Sequence, residues 1–197
     1  IAAQDCRCCR NHLVTNVYVA GIAMTVFGRH PERSLHDLAG EALQGALADA
    51  GCAAADIGAA YYSGMTNGTL QGQISIPGQV IFSKIGIEGI PIYNVENACA
   101  SGSSALNLAV QSLKAGTTDV TLAIGAEKMN IPDKAKAFAI FEGGWDVSRA
   151  EENYATLIKI GEGITPPPGS ESDRPYSKFM AIYAAFCRNH MRTWGTT

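Results

Sequence analysis

The sequence predicts an α/β fold: a mixed sheet covered by helices on both faces, followed by an irregular excursion. Three observations carry this. Short runs that are almost wholly apolar, at residues 59–64, 92–95 and 119–126, alternate with stretches whose apolar residues recur at helical spacing. Strands of that kind belong in a sheet buried on both sides. Gly51, Pro77 and Gly116 punctuate the alternation where turns are needed.

In order, residues 1–16 show neither helical nor strand periodicity and read as a disordered or non-native tail. Cys6, Cys8, Cys9 and His12 lie there, but their spacing matches no common zinc module, so no metal site is expected. The core domain spans residues 17–129. Residues 17–24 are nearly all apolar and read as its first strand. Ser34 with Asp37 three residues on forms a capping-box pair, and a helix over 35–50 follows, with Leu35, Leu38, Ala39, Ala42, Leu43 and Leu47 on one face. His36 falls on its polar face and reads as a solvated side chain. A strand at 59–64, a Gly-rich loop at 65–72 and a helix over 73–85, irregular at Pro77, come next. The strand 92–95 leads through a tight polar connection into a helix from about Cys99 to Ala115, and a strand over 119–126 closes the core. Residues 130–197 are a second region of mixed charge and aromatics, with an extended Pro-Pro-Pro-Gly connector from Pro166 and one more helix over 178–192.

Composition excludes several classes of function. The net charge of −3 leaves no basic stripe for phosphates, so no nucleic-acid partner is expected. No apolar run reaches the roughly 20 residues of a membrane span, and no secretory signal is evident. Cys52, Cys99 and Cys187 stand far apart rather than as a disulfide framework, which fits a reducing, cytoplasmic setting. Asn67-Gly68-Thr69 matches a glycosylation acceptor, a motif without weight there.

The candidate site is Asn97-Ala98-Cys99-Ala100-Ser101-Gly102-Ser103-Ser104. The first turn of a helix has unpaired N–H groups and roughly half a positive charge, which favour a thiolate and hence a nucleophile. Small residues after Cys99 keep its backbone open to an approaching substrate. The packing alternative is a buried cysteine acting as a small hydrophobe.

This segment, with Gly125-Ala126-Glu127-Lys128-Met129 at the end of a later strand, resembles the N-terminal half of the thiolases, closest to the sterol-carrier-protein-type and lipid-transfer-like branch. The resemblance implies a thiolase-like N-terminal half with a loop excursion over the active site. It implies that Cys99 accepts an acyl group from a coenzyme A thioester, with Ser101, Gly102 and Met129 beside the substrate and the Cys99 N–H as an oxyanion donor. It also implies a homodimer and no cofactor beyond the thioester substrate itself. Thiolases supply their histidines and second cysteine from a C-terminal half, whereas His12, His30, His36 and His190 are poorly placed to serve. The expectation is therefore an incomplete chain, a fragment or a subunit finished by another, with the C-terminal half absent. Three functions compete: acyl-CoA acyltransfer in Claisen condensation or thiolysis, lipid or acyl-CoA transfer without turnover, and retro-aldol cleavage of a steroid side chain.

Overall fold

Strands β1 (Ala59–Ser63), β2 (Ile92–Val95) and β3 (Thr121–Gly125) pair in the order β2-β1-β3 in a computed structural model that describes residues 16–165, 168–169 and 177–196. Both pairings are parallel, so the described sheet is parallel rather than mixed. Parallel neighbours need crossover connections, and helices supply them.

The alternation of side chains along β1 assigns the two faces. Ala60 and Tyr62 point into one cluster with Leu35, Ala39 and Leu43 of α1 (Leu35–Ala50) and Ile81 and Phe82 of α3 (Pro77–Phe82). Ala59 and Tyr61 point the other way, with Val95 of β2 and Ala105 and Ala109 of α4 (Ser101–Lys114). Every residue of β1 is buried, as a central strand covered twice must be.

Local signals explain most boundaries. Ser34 caps α1: its hydroxyl accepts the Asp37 N–H at 3.2 Å, and the Asp37 carboxylate accepts the Ser34 N–H at 2.7 Å. The Ser34 hydrogen bonds hold the Asp37 carboxyl below its ordinary pKa. Gly51 ends the helix in the left-handed conformation. The helix placed over 73–85 is shorter than its pattern. It starts at Pro77, where proline's missing N–H costs nothing, and the Asn94 side chain accepts the Gly78 N–H at 2.6 Å. The loop at 65–72 contains a short helix, α2 (Asn67–Gln71), closed by Gly72.

Two expectations are corrected. Residues 17–24 form no strand and leave Tyr18, Val19, Ile22 and Met24 exposed. Their backbone lies on α1 instead: a Cβ at Gly21 would stand 2.3 Å from the Ala46 carbonyl, and the Ile22 N–H donates to Asp49 at 2.8 Å. Here an apolar run marks neither a strand nor a buried segment: it meets α1 through its backbone and leaves its large side chains in the open. His36 is half-buried rather than solvated, with Nε2 covered and without a hydrogen-bond partner among the described residues.

A first compact unit ends at Pro132 and a second begins at Asp133. The second holds α5 (Lys134–Ala139) and α6 (Ala150–Lys159), neither distinguished from irregular chain by sequence, and α7 (Lys178–Trp194), which begins where the pattern places it. α6 packs on α7, and Phe141, Phe179 and Tyr183 stack successively at about 5 Å. The tail cysteines and His12, and Pro166 and Pro167 of the connector, lie outside the described residues. The described cysteines are unpaired, and no described helix is long and apolar enough to cross a membrane.

Phe82 is fully buried beneath Tyr62, edge-on at 5.9 Å between ring centres. Phe82→Ala is expected to destabilise the protein by about 3–5 kcal/mol, measured by urea denaturation.

Candidate active site

The turn that carries Cys99 is built before the helix starts. Residues Ala98–Ala100 form a 3₁₀ turn and α4 proper begins at Ser101, so Cys99 stands two residues ahead of the helix rather than as its first residue. Ala98 adopts φ +46°, a left-handed conformation that costs an alanine about 1–2 kcal/mol. Three hydrogen bonds hold it there. Glu96 accepts the Ala98 N–H at 2.6 Å, the Ser101 hydroxyl accepts the Asn97 N–H at 2.8 Å, and the same hydroxyl donates to the Ala98 carbonyl at 2.7 Å. Asn97 also donates through its side chain to Ser104 at 2.9 Å. The result turns Cys99 outward, and its side chain is exposed.

Cys99 lines a cleft of about 320 Å³. One wall is the turn itself, with Ala98, Ser101 and Gly102; the other is Ser63 and Gly64 at the end of β1 and Gly125, Ala126 and Glu127 at the end of β3. This is the edge of a parallel α/β sheet where ligands collect. The two strand ends are pressed together: a Cβ at Gly125 would lie 2.4 Å from the Ser63 hydroxyl and 2.8 Å from the Ser63 carbonyl, so only glycine fits.

Beneath the cleft the Tyr62 hydroxyl donates to the Ala126 carbonyl at 2.8 Å and accepts from Asn67 Nδ2 at 2.7 Å. Burial pushes the Tyr62 phenol up to about 12, against the opposing effect of the Asn67 bond. Asn67, the nominal glycosylation acceptor, is only 3% exposed and belongs to this network.

Of the residues singled out from sequence, Cys99, Ser101 and Gly102 meet in the cleft. Ser101 enters it as the latch of the turn, with its hydroxyl already engaged. Met129 is partly exposed and is not among the residues lining the cleft. Among the described residues no histidine lines the cleft either; His30 bonds the Val26 carbonyl at 2.8 Å and His190 lies in the second unit, paired with Thr196 at 3.1 Å. Sequence reading missed Glu127, which lines the same cleft while its carboxylate accepts backbone N–H groups from Met65 and Thr66. Its signal was available: an acid immediately after an apolar run, in the same motif pair that singled out Cys99. No group of three or more potential metal ligands occurs among the described residues.

Comparison with known proteins decides the family. The family described as thiolase, N-terminal domain, matches residues 17–159. The chain belongs to the thiolase family. It is 32% identical over 183 residues to an acetyl-CoA acetyltransferase of Methanothermobacter thermautotrophicus, covering 92% of this chain and 41% of that protein. It is 38% identical over 182 residues to sterol carrier protein 2 of Gallus gallus, covering 91% of this chain and 30% of that one. A solved acetyl-CoA acetyltransferase of Syntrophomonas wolfei is 29% identical with a TM-score of 0.45, covering 53% of this chain and 27% of the other. The chain thus spans well under half the length of these relatives.

Two outcomes follow from this geometry. Ala98→Gly is expected to leave stability equal or higher, and Ala98→Val to lower it by about 1–2 kcal/mol, read by chemical denaturation. Because the folded-state Tyr62 pKa lies above the ordinary value of 10, its contribution is intact below pH 10 and falls as the pH rises toward 12, by about 1.4 kcal/mol per pH unit. Unfolding free energies of native protein and Tyr62→Phe across that window should show the slope diminished in the variant.

Proposed function

We propose that this thiolase-family chain carries the acyl-accepting nucleophile of an acyl-CoA acyltransferase. The observation that carries the reading is the exposed Cys99, turned by a strained residue into a cleft at the carboxyl ends of parallel strands. In the proposed step the Cys99 sulfur attacks the thioester carbonyl. The bond from Cys99 sulfur to the acyl carbon forms, the bond from that carbon to the coenzyme A sulfur breaks, and the thiol proton of Cys99 leaves on coenzyme A. The Cys99 N–H is the proposed oxyanion donor, and Gly102, beside which a Cβ would meet nothing, leaves the mouth open to the acyl group. Claisen condensation or thiolysis would follow from the acyl-cysteine. Acyl-CoA as substrate, a homodimer as the assembly and the cytoplasm as the setting belong to the same proposal.

A second reading is transfer of lipid or acyl-CoA without turnover. The likeness to sterol carrier protein 2 is compatible with it.

Intact mass after incubation with acetyl-CoA separates the two. An acetyl adduct in the native protein that is absent in Cys99→Ser is expected. An adduct that persists in Cys99→Ser, or ligand binding with no adduct at all, would overturn acyl transfer through Cys99.

A further inference from the structure

The cleft has one wall whose position no covalent feature guarantees. The turn carrying Cys99 is latched to itself, but the opposite wall, Ser63 and Gly64, is where the chain leaves β1 for α2. Chain leaving a strand end is held only by what its backbone groups find.

Two consecutive amides of that chain find one atom. Met65 N and Thr66 N both donate to Oε1 of Glu127, at 2.5 and 2.8 Å, which makes the start of the loop a small anion-holding concavity filled from the end of β3. Glu127 is itself fixed from both sides. The Ala126 carbonyl before it accepts from Tyr62, and the Lys128 carbonyl after it accepts from Gln71 Nε2 at 3.0 Å. The Lys128 ammonium then donates to the carbonyls of Pro31 and Arg33, tying the segment to the entrance of α1. Gly64 is therefore held on the strand side by its own N–H, which donates to the Val95 carbonyl at 3.3 Å, and on the loop side by the chain that Glu127 holds.

We propose that Glu127 is a positioning residue for acyl transfer to Cys99, holding Gly64 and its neighbours at the distance from the sulfur that a thioester needs. The inference rests on the acyl-transfer reading and assigns that reading a further residue. Its alternative, that Glu127 removes a proton in the reaction, requires a basic carboxylate; the positioning role requires only a fixed acceptor oxygen. Glutamine keeps the oxygen and loses the basicity, while aspartate keeps the charge and withdraws it by one methylene.

The experiment follows acetyl adduct formation on Cys99 from acetyl-CoA in native protein and in Glu127→Gln, Glu127→Asp and Glu127→Ala. In parallel it records iodoacetamide alkylation of the same thiol and amide hydrogen exchange at Met65 and Thr66. Positioning predicts that Glu127→Asp and Glu127→Ala slow acetylation by at least about tenfold, the scale on which small misplacements act. Alkylation by the small reagent should stay near the native rate, the two amides should exchange faster, and Glu127→Gln should restore acetylation and exchange toward native values. Acetylation unchanged in Glu127→Asp, or Glu127→Gln as slow as Glu127→Ala, overturns the proposal. Should Glu127→Ala not fold, the aspartate and glutamine variants decide. If the native protein itself forms no adduct, the acyl-transfer reading fails separately, and unchanged exchange at Met65 and Thr66 in Glu127→Asp would then show that Glu127 does not hold the wall.

Discussion

Parallel pairing of β1 with both neighbours is the constraint on which the site depends. With three strands running one way, their carboxyl ends emerge on one edge, and the loops that follow them are forced to share it. Ser63, Gly125 and the turn after Val95 come together for that reason, although they are far apart in sequence. The closeness of the ends is then a packing matter: the contact between Gly125 and Ser63 leaves no volume for a side chain, so the floor of the cleft is backbone.

Cover on both faces holds the strands under that floor in place. Tyr61 and Tyr62 are adjacent, yet one packs under α4 and the other under α1 and α3. Tyr62 also ends in a hydroxyl that must be satisfied once buried. It meets the Ala126 carbonyl and the Asn67 amide, so the residue that fills the core also stitches β1 to the exit of β3 and to α2. Core packing and site geometry are therefore not separable here: the group that anchors the cleft floor is a core side chain.

The sequence made much of this legible because its strongest signals are local. Ser34 and Asp37 announce the start of α1, and the strand 92–95 is bounded as its apolar run suggests. Cys99, Ser101 and Gly102 gather as their positions at one strand-to-helix junction require. What stayed hidden depends on distant partners. Residues 17–24 look like a covered strand but lie by their backbone on α1 with Tyr18, Val19, Ile22 and Met24 exposed, because an apolar run does not say which strand, if any, will pair with it. Pro77 starts α3 with the help of Asn94, seventeen residues on. Asn67 matches a glycosylation acceptor in sequence, and neither its burial nor its bond to the Tyr62 hydroxyl is visible there. Glu127 was within a motif but had no visible partner until the backbone of Met65 and Thr66 folded over it.

Strain at Ala98 gives the arrangement its direction. The left-handed Ala98 and the 3₁₀ turn it opens stand between β2 and α4, and the exposed Cys99 of that turn lines the cleft. Such a bend persists only if its surroundings over-determine it, and the three hydrogen bonds from Glu96 and Ser101 do so from both sides. Ser101 spends its hydroxyl on this latch, leaving the open surface to Gly102. A packing cysteine would require none of these features, since burial rewards a small apolar side chain in an unstrained helix. The cost of holding Cys99 outward makes sense if the sulfur has something to meet in the cleft.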